Sequence, residues 1–164
     1  MGIRFNADEI FEMAEQIERN GAKFYRRAAG GMNDAAVQQV LLDLAAMEDQ
    51  HEKVFADMRS RLSPAERQPV VFDPDDENAA YLRAMAGGHV FDVKADPSEA
   101  LTGRESLTDV LWTAIGLEKD SIVFYLGLQD MVPERLGKDR LDAIIHEEMR
   151  HIVTLADQLD AAQT

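Results

Sequence analysis

The feature that most constrains this chain is an internal repeat at a shift of 100 residues. Ile17-Glu18-Arg19-Asn20-Gly21-Ala22-Lys23-Phe24-Tyr25 lies over Leu117-Glu118-Lys119-Asp120-Ser121-Ile122-Val123-Phe124-Tyr125. In the same register Glu48 and His51 lie over Glu148 and His151, and Ala56-Asp57 over Ala156-Asp157. Two of the four histidines therefore follow a Glu by three positions, and each Glu-x-x-His has a further Glu 30 residues upstream. A repeat of this kind asks for one structural unit used twice.

Helical periodicity fills both halves. Asn6 and Glu9 are spaced as a capping box, and Ile10, Met13, Ala14, Ile17, Gly21, Phe24 and Ala28 then recur on one face until Gly30-Gly31. Asn33 or Asp34 can cap a second helix that ends near Leu62, before Ser63-Pro64. A third begins near Ser106 or Thr108 and runs to about Met131, ahead of Pro133; the fourth starts near Lys138 or Asp139. The pattern predicts an all-α domain over 1–164, with long helices at about 7–30, 34–62, 107–131 and 138–162. A crossover over 63–106 is interrupted by prolines and holds one short helix at about 78–86. Only Val70-Val71-Phe72 has the character of a short strand. The acidic run Asp73–Glu77 fails as a calcium loop, because the positions that require Gly and Glu are Asn78 and Ala84; it reads as a solvated turn.

Composition removes several kinds of chemistry. With 17 Lys and Arg against 31 Asp and Glu, the net charge is −14, which disfavours binding to nucleic acid or to an anionic membrane. The absence of cysteine excludes a thiol nucleophile, a disulfide framework and any Cys-ligated metal centre within the chain. The segment Met1–Asn6 has no apolar core of a secretory signal, and Asn6 replaces the Ser or Thr of a myristoylation motif. No stretch approaches the roughly 20 apolar residues of a membrane span. The expected location is the cytoplasm.

Carboxylates and imidazoles remain, and the repeat puts them at one height. Residues three apart share a helix face, so Glu48 and His51 can reach one point, as can Glu148 and His151. Glu18 precedes the Gly30-Gly31 turn by about 12 residues and Glu48 follows it by about 15, which is roughly 18 to 23 Å on either arm of a hairpin. The second hairpin repeats this about Pro133–Lys138. Four carboxylates buried together repel one another and lose hydration; two divalent cations would cancel that charge, with one imidazole to complete each shell.

One Glu from each of two helices with Glu-x-x-His from each of the other two is the ligand pattern of di-iron and di-manganese carboxylate bundles. On Glu18, Gly21, Phe24 and Tyr25, on Glu48 and His51, on Glu118, Phe124 and Tyr125, and on Glu148 and His151, the chain resembles the ferritin-like superfamily. The nearer likeness is to its rubrerythrin-like branch. The resemblance covers both hairpins. It implies a four-helix bundle with a long crossover between its second and third long helices, Glu48 and Glu148 as bridging carboxylates, and Glu18 and Glu118 as terminal ligands, with one His per metal. It implies two metal ions, iron foremost with manganese or zinc also suited, and reduction of hydrogen peroxide or dioxygen. Iron storage with ferroxidase activity and a metal-free interaction bundle are the alternatives.

Two departures qualify the likeness. Full-length rubrerythrins carry a Cys-ligated rubredoxin domain, and a chain without cysteine must take its electrons from another protein, a separate donor, or from the iron itself. They also carry an extra Glu one turn after the third-helix Glu, where this chain has Ser121, with Gly21 as its repeat mate. Small side chains there leave room for a small oxidant, although close helix packing accounts equally for Gly21. Tyr25 and Tyr125, seven residues after their glutamates, can either hydrogen-bond ligand carboxylates or simply pack in the core. Glu15 reads as a surface carboxylate, with a spare ligand as the alternative. His89 reads as a loop residue, His146 as a surface one, and Trp112 and the methionines as packing residues of the core or of an interface. A homodimer is compatible with all of this.

Overall fold

The computed structural model describes residues 6–68, 77–86 and 92–163. Four long helices dominate: α1 (Ala7–Gly30), α2 (Ala35–Ser60), α4 (Leu107–Leu128) and α5 (Lys138–Ala162), with the short α3 (Glu77–Ala86) in the crossover. The described residues contain no strand. The Val70–Phe72 run, Asp73–Asp76 and His89 lie outside them.

Local chemistry sets the helix starts. Asn6 and Glu9 form the reciprocal capping box, with each side chain accepting from the other's backbone N–H at 2.9 and 3.0 Å. Asp34 caps α2 through the amides of Ala36 and Val37, and Ser106 forms a second box with Asp109 at the start of α4. Gly137 enters α5 at φ 102°, in the left-handed region that glycine adopts without penalty. The α4 helix stops at Leu128 rather than near Met131. Pro133 has no N–H and disfavours helical backbone just before it, so the chain turns off with Met131 and Val132 both donating to the Leu128 carbonyl. Two 3-10 turns, Pro97–Ala100 and Glu134–Leu136, were not legible as helical periods.

Cross-helix contacts fix the directions. Arg19 meets Glu52 at 2.8 Å and Arg59 meets Asp8 at 3.0 Å, so α1 and α2 run antiparallel. Tyr25 on α1 reaches Glu118 on α4, and Tyr125 on α4 reaches Glu18 on α1, so these two helices are also antiparallel. It follows that α2 and α4 are parallel, and the crossover must return along the roughly 40 Å length of a 26-residue helix. On the way α3 lies against α4. Tyr81 donates to the Val123 carbonyl at 2.6 Å, and its ring occupies the space where a Cβ on Gly127 would stand. Farther along, the buried Asn20 of α1 donates to the Val93 and Ala95 carbonyls, both at 3.0 Å.

The core has two apolar zones. One gathers Phe11, Ala14, Phe55, Met58, Phe124, Leu128, Leu141 and Ile144 at one end of the bundle. The other gathers Phe24, Ala28, Leu41, Leu44, Leu111, Ala114, Leu155 and Leu159 at the opposite end. Between them lies a polar layer. Trp112 joins neither zone; it is 60% exposed. A core place for it is therefore ruled out: its position on α4 faces away from the other helices. Among the described residues no helix is long and apolar enough to cross a membrane.

Candidate metal centre

The polar layer is built from Glu18 of α1, Glu48 and His51 of α2, Glu118 of α4, and Glu148 and His151 of α5. All six are buried, none more than 4% exposed. Both imidazoles turn Nδ1 inward. His51 Nδ1 lies 2.9 Å from Glu148 Oε1 and 3.4 Å from Glu18 Oε2. His151 Nδ1 lies 2.9 Å from Glu148 Oε2 and 3.3 Å from both Glu48 Oε1 and Glu118 Oε1. The two rings are nearly parallel, with centroids 5.7 Å apart.

Two overlapping groups of donors emerge. Glu18, Glu48, His51 and Glu148 offer atoms within 4.8 Å of one another, and so do Glu48, Glu118, Glu148 and His151. Glu48 and Glu148 belong to both groups. Buried polar atoms are ordinarily hydrogen-bonded. Here Glu18 Oε2, Glu48 Oε1, both Glu148 oxygens and both Nδ1 atoms have no hydrogen-bond partner, though all are close to one another. Four carboxylates and two imidazoles with orphaned donor atoms aimed at two common points fit a pair of divalent cations.

No protein-family profile and no curated protein matches the sequence. A solved structure does: a candidate ferritin-like diiron-carboxylate protein from Thermotoga maritima, with a TM-score of 0.75 and 24% identity over 96% of each chain. The chain has the ferritin-like fold.

In this ferritin-like bundle the clustered groups shift one another's protonation. Burial pushes the Glu48 carboxyl well above its usual range, and the charges of Glu18 and Glu148 push it further. Burial, then Glu148, raises Glu118 to about 8. Burial alone would lower both imidazoles, but the facing carboxylates win. Glu148 and Glu18 lift His51 to about 11, and Glu118 and Glu148 lift His151 to about 9. Burial opposes the Glu148 charge as well, but His151 and His51 overcome it and hold Glu148 at about 2.

The tyrosines do more than pack. Tyr25 and Tyr125 are 1% and 0% exposed, and each donates its hydroxyl to a clustered glutamate of the other hairpin: Tyr25 to Glu118, Tyr125 to Glu18. Burial, then the adjacent glutamate charge, raises both phenols well above their ordinary value, so they remain donors.

Gly21 also has a specific task beside the cluster. A Cβ there would stand 3.3 Å from Glu48 Cγ and Cδ, so the missing side chain accommodates the shared carboxylate itself. Gly21→Ala should displace Glu48 by a few tenths of an ångström and weaken metal binding about tenfold. The gain in helix propensity, up to about 1 kcal/mol, should keep the metal-free melting temperature from falling. Zinc calorimetry beside a thermal melt reads the two effects separately.

A cavity of about 210 Å³ reaches the cluster from the crossover side. Its walls include Gly21, Ser121, Tyr25, Glu48, Glu118 and Val93. The small residues at positions 21 and 121 thus line the cavity next to two of the carboxylates. Glu15, in contrast, is neither a surface residue nor part of the cluster. It is 7% exposed and is covered by Arg19 at 3.4 Å and Arg59 at 3.5 Å. His146 is exposed, as its helix position predicts, with Nδ1 against the Asp142 carbonyl.

Two residues were missed in the sequence. Glu147 places Oε2 2.6 Å from His51 Nε2, and Asn20 ties the crossover to α1 beside the cavity. Glu147 is about 100° around the helix from Glu148, where no spacing rule separates it from a surface carboxylate. Asn20 has Asp120 as its repeat mate, and so leaves no signal in the repeat.

Proposed function

We propose that this chain is a di-iron oxidoreductase of rubrerythrin-like type that reduces hydrogen peroxide or dioxygen. The observation that carries the reading is the buried set of four glutamates and two histidines with orphaned donor atoms. The solved structure it resembles is described as a candidate diiron-carboxylate protein, which supports iron. The ions would be held by Glu18, Glu48, His51 and Glu148 on one side and by Glu48, Glu118, Glu148 and His151 on the other. Bound there, two ferrous ions supply the two electrons that, with two protons, convert one peroxide into two waters.

The residues of the chain do the rest. Phe24, Phe55 and Leu111, all buried, close the layer from both ends of the bundle and exclude bulk water. Tyr25 and Tyr125 hold Glu118 and Glu18 in place by hydrogen bonds. The cavity beside Gly21 and Ser121 gives a small neutral oxidant a way to the cluster. With no cysteine in the chain, the electrons come from a separate donor protein, and a cytoplasmic location belongs to the same proposal.

Anaerobic loading with Fe(II), followed by mixing with peroxide or with oxygen, tests this reading. Two irons per chain and a ferric absorbance that develops faster with one oxidant are expected. Absence of a ferric signal with both oxidants overturns the redox proposal. A closed shell carrying many irons per chain would replace it with storage.

A further inference from the structure

The repeat breaks at a position that touches the cluster. Residue 147 is Glu and its mate, residue 47, is Met. Because of that difference the two imidazoles, which both turn Nδ1 inward, have unlike outer nitrogens. His51 Nε2 faces Glu147 Oε2 at 2.6 Å, and Arg150 steadies the other oxygen of Glu147 from 3.5 Å. His151 Nε2 is buried without a hydrogen-bond partner.

A histidine binds a metal through one nitrogen only when the proton sits on the other. A carboxylate on that N–H fixes the tautomer and the ring plane and makes the inner nitrogen more basic. His51 has this support and His151 does not. The cavity adds a second asymmetry, since its walls include Glu118 and the shared Glu48 but not Glu18, and neither histidine.

Resting on the metal-binding reading above, we propose that the two metal positions are inequivalent and that Glu147 is the positioning residue that makes them so. The position on Glu18 and His51 fills first and tightly. The position on Glu118 and His151 is the weaker one, and it is the one open to the cavity. A metal there would be the one a small ligand meets on entering.

The test is anaerobic calorimetry of the full chain with Co(II), together with anomalous scattering from crystals given one equivalent of cobalt. Wild type should bind two cobalts in two separable steps, with the first density at Glu18 and His51. Glu147→Met puts the residue of the repeat mate, position 47, at this position and removes the carboxylate from His51 Nε2. It should weaken the first step about 10- to 100-fold and bring the two steps together. Glu147→Asp should restore part of the separation. Two cobalts bound in equal steps by wild type, an unchanged first step in Glu147→Met, or first density at Glu118 and His151 would each overturn the inequivalence while leaving the metal centre intact. A wild-type chain that binds no cobalt would overturn the metal centre, and this inference with it.

Discussion

Replacing Glu48 with Gln is expected to stabilise the metal-free protein and at the same time to end its capacity for two metals. Glu48 belongs to both donor groups, so its loss leaves each position with three ligands and removes one of the charges that would balance two dications. In the metal-free fold the same carboxylate is a liability. Burial opposes its ionisation, and Glu18, Glu148 and Glu118 add their charges against it. A neutral amide of the same shape removes that conflict. A gain of about 1 kcal/mol is typical when a functional site is relieved of such strain, which for a chain of this size means about 2 to 4 °C in melting temperature. Thermal melts at pH 8 without metal, and iron content after anaerobic loading, read the two effects. A variant that melts lower without metal and still carries two irons would show that Glu48 is a structural residue.

How much of this was visible in the sequence depends on whether the signal was local, periodic or cross-helix. Caps are local: Asn6 with Glu9, Asp34 and Ser106 with Asp109 announce three helix starts, because their side chains bond amides two or three residues away. The six clustered residues were legible because the repeat states them twice and helical spacing carries them to one height. The tyrosines were half legible. Their helix face follows from a seven-residue offset, but the hydroxyl of Tyr25 crosses to Glu118 and not to its own Glu18, a choice made by how two hairpins pack. Glu147 and Glu15 show the same limit from opposite sides. Glu147 drew no reading at all, yet it supports His51; Glu15 reads as a solvent carboxylate, yet it is buried because Arg59 and Arg19 fold over it. Of the two places open to Trp112, core or interface, the first is excluded: a large aromatic side chain invites a core assignment, yet among the described residues nothing buries its face of α4.

Metal affinity should rise steeply with pH, and the stabilisation that metal confers should rise with it. In the metal-free fold His51, His151 and Glu118 all have raised pKa values, about 11, 9 and 8. A raised value means that the folded chain holds a proton the unfolded chain would release. These three groups therefore stabilise the metal-free fold fully below their ordinary values, 6.5 for the histidines and 4.5 for the glutamate. That contribution is lost as pH climbs through 8 and 9 toward 11. Glu148, lowered to about 2, has the opposite sign: its contribution is present above the ordinary carboxylate value and disappears only in strong acid. Between pH 6 and 9 the raised groups dominate, so the metal-free melting temperature should fall. A divalent cation needs the same atoms deprotonated. Each proton it displaces makes its apparent affinity about tenfold tighter per pH unit. Zinc or ferrous titrations at pH 6, 7 and 8, in buffers of different ionisation enthalpy, give both the slope and the number of protons released. At least one proton per chain is expected, with a metal-induced rise in melting temperature that grows from pH 6 to pH 8. An affinity that stays flat over this range would mean that the cluster is already deprotonated without metal. In that case the four glutamates would have to be neutralised by something other than the two imidazoles that face them.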